Sequence, residues 1–258
     1  ELKNVKKEYS TPRKTVIKDE ITEIKFDLKE MIPSENVVIV ITNDGYVKKV
    51  PIKSYKAATD ETTLKPGDYV KNIFEVNTRN HLLLFTTLGN YLFIPAYQIN
   101  ECKWKDLGKH INNIVMLSEN EKIIDSFIYD KNSYLVLTTK QGMIKKVIMS
   151  DYEVSRCSKP MTAIKLKNND ELVSVTDSSY SNVFISTSNG YGLWYDISEV
   201  PVVGIKAAGV KAISLKEDYV VSGTLFDAGE EYITILTDKG TGKRTRLTEF
   251  EKTSRAKR

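Results

Sequence analysis

Three pairs of adjacent basic residues recur at one offset in this chain. Lys48-Lys49, Lys145-Lys146 and Lys243-Arg244 occupy the third and fourth positions after Gly45, Gly142 and Gly240. Leu92-Phe93 and Leu193-Trp194 stand at the same offset after Gly89 and Gly190. Cations repeated at a fixed spacing suit a polyanion with its own regular spacing, because lysine and arginine neutralise backbone phosphates, release counterions and carry little sequence information. Consecutive strand side chains point to opposite faces, so one member of each pair is expected outward from its sheet and the other toward a blade edge. Arg156, Lys206, Lys211 and Arg246 join these pairs as candidate phosphate contacts, with Lys53, Lys56, Lys159 and Lys165 as accessory positions. The competing explanation is edge lysines that merely discourage strand aggregation.

Other chemistry is sparse. The two histidines, His81 and His110, have no spaced Cys, His or carboxylate partner of the kind a metal site needs. No Gly-x-Gly-x-x-Gly, P-loop or Gly-x-Ser-x-Gly occurs, so no catalytic residue, cofactor site or metal ligand is expected in this chain. Two alternatives stay open: a protein-interaction propeller, and a carbohydrate-acting one with carboxylates converging in a central pocket. The net charge of +4 is unevenly spread. Lys and Arg against Asp and Glu number 8 to 8 over residues 1–35, 23 to 24 over 36–239 and 7 to 2 over 240–258, so the excess lies in the last nineteen residues. With no apolar run of 18 residues, no membrane span is expected. Cys102 and Cys157, in a chain without a secretory signal, fit a reducing compartment, and the expected location is the cytoplasm.

The elements that position the basic pairs repeat as well. An apolar run followed by Thr-x-x-Gly occurs five times, at Thr42, Thr86, Thr139, Thr187 and Thr237, with the glycines 44, 53, 48 and 50 residues apart. Each copy reads as a buried strand, a tight turn and a return strand, giving hairpins near 37–52, 82–95, 134–149, 183–197 and 232–247. An aromatic tends to close the unit, as Tyr55, Tyr97, Tyr152 and Phe250, with Val200 in the fourth copy. Further strands are expected at 69–76, 114–117, 122–129, 162–167, 172–176, 210–215 and 219–225. About four strands per repeat make a blade, and blades around an axis protect nearly all their edges. The expectation is an all-β, propeller-like domain of about five to six four-stranded blades over residues 19–258, preceded at 1–18 by the end of a helical arm or linker from an upstream domain.

These residues resemble the C-terminal domain of the A subunit of bacterial type IIA topoisomerases, the β-pinwheel of gyrase and topoisomerase IV. The specific stretches are Glu35 to Val38 through Gly45 to Lys49, Ser198-Glu199-Val200 with Gly204 to Val210, Thr237 to Gly240, and Leu247 to Phe250 through Arg255 to Arg258; Val5 to Tyr9 and Arg13 to Thr15 look like the end of the coiled-coil arm. The Gln-Arg-Arg-Gly-Gly-Lys-Gly box of gyrase is absent, its place taken by Tyr55 to Thr62. Trp104 to His110 instead looks like a stretch of Gram-positive topoisomerase IV, which favours that branch over a gyrase wrapping domain. The resemblance implies a non-catalytic domain that binds and bends double-stranded DNA and holds the transported duplex during strand passage. The catalytic tyrosine would lie upstream, ATP and Mg²⁺ would serve the intact enzyme, and an A-subunit dimer would work with the ATPase B subunit near the nucleoid. It also implies that family members commonly continue with a further hairpin at the place of Arg258.

Overall fold

The computed structural model describes residues 1–12, 14–15, 32–155, 157–227 and 229–257. They fall into two units, Glu1–Ile32 and Pro33–Arg258. In the first, helix Leu2–Tyr9 buries no side chain and carries Lys6 and Lys7 in its last turn, where cations suit the helix dipole. The expected boundary between residues 18 and 19 lies outside the described residues.

The second unit is built from hairpins whose turns explain the Thr-x-x-Gly repeat. Each glycine N–H donates to the carbonyl of its threonine at 3.0–3.1 Å. The threonine Oγ1 then accepts the N–H of the residue after the glycine, at 3.1–3.3 Å in all five copies. The glycines sit at φ between +71° and +85°, the left-handed region where a side chain is strained. The paired strands are Asn36–Thr42 with Tyr46–Pro51, His81–Thr86 with Asn90–Pro95, Tyr134–Thr139 with Met143–Ile148, Asn182–Thr187 with Gly192–Asp196, and Tyr232–Leu236 with Gly242–Arg246.

Each of the first four hairpins gains an inner strand from the segment that follows it: Val70–Asn77, Ile123–Ile128, Leu172–Asp177 and Val220–Phe226. Neighbouring inner strands meet, Asn72 Nδ2 donating to Asp125 Oδ1 at 3.0 Å and Gly223 N to Ser174 Oγ at 3.0 Å. In each of the first four blades one carboxylate ties the segment of the inner strand to the hairpin turn. Asp68, Asp170 and Asp218 each accept through Oδ1 from the N–H of a turn residue, Asp44, Gln141 and Asn189, at 2.8–3.1 Å. In the second blade Glu121 takes this place and accepts from Thr86 Oγ1 and Asn90 Nδ2.

The outer strand of a blade comes from beyond the next hairpin. Lys109–His110, after the second hairpin, pairs with Tyr46 and Val47 of the first. Met161–Thr162, after the third, pairs with the second, and Val210–Lys211, after the fourth, pairs with the third. The first three sheets thus have four strands, the fourth three and the fifth two among the described residues. The expected strands 162–167 and 210–215 shrink to two residues, and 114–117 forms none. The reason is shared: after two residues the chain turns inward, and Ile111, Ala163 and Ala212 donate N–H to the carbonyls of Gly45, Gly89 and Gly142 at 2.7–2.9 Å.

Alternate side chains of the second and third hairpins face opposite neighbours, which is why those runs are apolar throughout. Leu82 and Leu84 join the core shared with Val37, Ile39 and Ile41, whereas Leu83 and Phe85 join that of Leu135 and Leu137. Val136 and Ile144 pack on Val183, Ile185 and Leu193. Tyr152 and Val200 close their units as buried side chains, and in the second repeat the buried closing residue is Ile99, Tyr97 being 42% exposed.

Candidate nucleic-acid interface

Lys48 and Lys145 differ from the expectation that the pairs stand on a rim. They are 2% and 0% exposed. The position faces a blade-to-blade core, as Leu92 and Leu193 do in the second and fourth hairpins. Lys145 Nζ donates to the carbonyls of Ala163, Gly204 and Ile205 at 2.7, 3.3 and 2.8 Å. Lys48 Nζ donates to the carbonyls of Trp104 and Asp106 at 2.5 and 2.6 Å and to Thr62 Oγ1. Each ammonium is therefore consumed in clasping the loop that crosses from a later repeat to the outer edge of its blade.

Burial pushes both amines below their ordinary value, Lys145 from 10.5 to about 8 with Asp151 opposing the shift, and Lys48 downward against the opposing pull of Cys102 and Asp106. Between about pH 8 and 10.5 the unfolded chain still holds a proton on Lys145 that the folded chain has released. The folded state then binds fewer protons, so this residue makes stability rise with pH across that window. Urea unfolding at pH 7.5 and 10 is expected to show the native protein gaining stability relative to Lys145→Leu; an unchanged difference contradicts the buried-amine account.

The fourth-position residues are also partly spent. Lys49 is half-buried, its Nζ 4.0 Å from Glu101 Oε2. Lys146 is half-buried with Nζ 5.0 Å from the Tyr134 ring centre, and Arg244 lies 3.9 Å over the Tyr232 ring. Lys243, Arg244 and Arg246 are exposed on the fifth hairpin, as are Lys206 and Lys211, and Lys53, Lys56, Lys159 and Lys165. Arg156 lies outside the described residues.

The structure brings together a set the hairpin offset does not contain. In the first blade the crossover segment runs parallel to the return strand at Glu101, loops through Trp104 to Gly108, and pairs antiparallel at Lys109. In the third it bridges at Val202, loops through Gly204 to Gly209, and pairs at Val210. Lys103, Lys105 and Lys109 on one loop, and Lys206 and Lys211 on the other, are exposed at the outer edge of their blades. Lys105 and Lys206 occupy the same place, three residues before Gly108 and Gly209. That Lys-x-x-Gly repetition was available in the sequence. Lys105 pairs with Asp60, both side chains well exposed, so the contact is weak and open to competition by phosphate. With their carbonyls turned inward to an ammonium, both loops leave their lysines exposed at the blade edge.

Among the described residues no helix is long and apolar enough to cross a membrane, and no group of three or more His, Cys, Asp or Glu side chains is placed to hold a metal ion. The family described as DNA gyrase C-terminal domain, beta-propeller, matches residues 36–59, 80–130, 133–177, 181–225 and 231–258. The chain is 42% identical over its whole length to the A subunit of DNA topoisomerase 4 from Bacillus subtilis strain 168, covering 32% of that protein. It is 38% identical to the A subunit of DNA topoisomerase 4 from Staphylococcus aureus strain MRSA252, covering 33% of it. It thus spans about a third of the length of these relatives. The crystal structure of the C-terminal domain of DNA topoisomerase IV superposes with a TM-score of 0.84 at 44% identity, over 88% of this chain and 72% of that one. The E. coli ParC C-terminal domain shares the fold at a TM-score of 0.70 and 16% identity, over 87% of this chain and 93% of that one.

Proposed function

Because this chain belongs to the DNA gyrase C-terminal domain family of β-propellers, we propose that it is the part of a topoisomerase IV A subunit that grips and bends double-stranded DNA along its perimeter. It holds the duplex transported during ATP-dependent strand passage, in decatenation and supercoil relaxation. The observation that carries this reading is the matched pair of crossover loops with exposed Lys105 and Lys206 at one position, supported by the exposed Lys243, Arg244 and Arg246 of the fifth hairpin.

In this reading the chain contributes no catalytic residue. The cleaving tyrosine, ATP and Mg²⁺ belong to other parts of the intact enzyme, an A-subunit dimer that assembles with the ATPase B subunit, on the nucleoid in the cytoplasm. A perimeter of scattered single lysines, with Tyr55 to Thr62 where gyrase has its basic box, favours a modest grip over a tight wrap. Bending a 20–30 bp site by 40–90° costs on the order of 1–6 kcal/mol, which few phosphate contacts offset only at low salt.

The test is a fluorescence-anisotropy titration of a labelled 30-bp duplex from 50 to 200 mM salt. Affinity is expected to fall linearly on a log–log plot, with a slope of about −0.9 for each phosphate neutralised. No binding at 50 mM, or binding indifferent to salt, overturns the proposal.

A further inference from the structure

The two clasped loops differ from their counterparts in the neighbouring blades, and the difference tracks the exposed lysine. Register places Cys157 of the second blade and Ala256 of the fourth where Lys105 and Lys206 stand. Those two blades have Leu92 and Leu193 in place of the buried lysines, and hold their crossover segments otherwise. Phe93 N donates to Cys157 Sγ at 3.4 Å, and Arg255 donates through Nε to the carbonyl of Glu199 at 3.1 Å. A blade therefore forms without a clasp. A buried ammonium is present where an exposed lysine sits on the loop above it, and absent where Cys or Ala does. An ammonium with no carboxylate within bonding distance is a costly group to bury, and an apolar residue serves the core at the same position, so the fold alone does not account for it.

We infer that Lys48 and Lys145 are positioning residues for the DNA grip: they never touch the duplex, but by drawing the carbonyls of residues 104, 106, 204 and 205 inward they hold Lys105 and Lys206 outward, ready for phosphate. The inference rests on the perimeter-binding reading above. It takes the form of preorganisation: a loop already fixed in its binding conformation loses less conformational freedom when the ligand arrives. Lys145 and Lys206 are the cleaner pair, since Lys105 also faces Asp60.

The experiment compares the unaltered chain with Lys145→Leu, Lys206→Ala and the double variant, using the 30-bp duplex over 50–200 mM salt, with circular dichroism as the check on folding. Lys206→Ala is expected to reduce the salt slope by about 1. Lys145→Leu is expected to reduce it comparably although its side chain is buried, and the double variant to bind no more weakly than either single one. A purely structural lysine would not produce that non-additivity. Lys145→Leu binding like the unaltered chain, losses that add, or a silent Lys206→Ala would each overturn the inference while leaving DNA binding intact. Failure of the unaltered chain to bind at 50 mM salt would remove the perimeter reading itself. If Lys145→Leu does not fold, Lys48→Leu with Lys105→Ala takes its place, and loss of the fold in both blades makes the lysines fold determinants and overturns the inference.

Discussion

Gly209→Ala is expected to destabilise the protein by about 2–4 kcal/mol, whereas Gly67→Ala costs about 1–2 kcal/mol. Both glycines lie near φ +85°, so both variants carry the strain of a side chain in the left-handed region. They differ in surroundings. A Cβ at Gly67 meets nothing within 4 Å, whereas one at Gly209 runs into the carbonyl oxygen of Ile144, which is backbone and cannot rotate away. Relief requires the outer strand Val210–Lys211 to leave its partner, and with it go the two ladder positions Val210 with Ile144 and Lys211 with Met143. Gly108 repeats the arrangement, its Cβ position 2.7 Å from the carbonyl oxygen of Val47. Urea unfolding of the two variants under identical conditions separates the effects. Equal losses would mean that backbone conformation alone is felt and that the close approach is not.

The largest expected effect on binding comes from reversing charge on the crossover loops. Replacing Lys103, Lys105, Lys109, Lys206 and Lys211 by Glu is expected to lower duplex affinity at 0.1 M salt by at least about 10³-fold and to flatten the salt slope by about 4–5. All five are exposed, so the fold is expected to persist. The same reversal at Lys48 and Lys145 is a different experiment, because a carboxylate there faces the backbone carbonyls that the ammonium now satisfies. That substitution leaves an unpaired buried charge, and loss of binding would follow from loss of structure. If the five exposed reversals leave the slope unchanged, the duplex lies elsewhere, and the cations of the fifth hairpin become the first surface to examine.

How far the sequence reveals this molecule depends on the range of the interaction that fixes each part. The hairpins are local: a threonine, two turn residues and a glycine satisfy one another within five positions, so their pattern survives in a single sequence. The near-unbroken apolar runs of the second and third hairpins also follow from position, since each of these two is sandwiched between two cores. The outer strands leave only two residues of pattern each, and their partners lie about 65 positions away, as His110 does from Tyr46. For the same reason the lysine pairs read as surface although Lys48 and Lys145 are interior. Nothing within residues 45–52 announces that the carbonyls of Trp104 or Asp106 will close over Lys48. Leu92 and Leu193 at the matching position were the available hint, marking it as a place that faces a core.

The borrowed outer strand also sets an order of events for a chain emerging from the ribosome. The first hairpin can close as soon as residue 51 is free, but its sheet is not finished until residues 109–110 have followed, by which time the second hairpin is already out. Closing such a span costs entropy that grows only slowly with its length, so the delay is set by synthesis more than by thermodynamics. The outer edge of the first sheet therefore stays open while the second hairpin is made, and residues 109–110 then cover it.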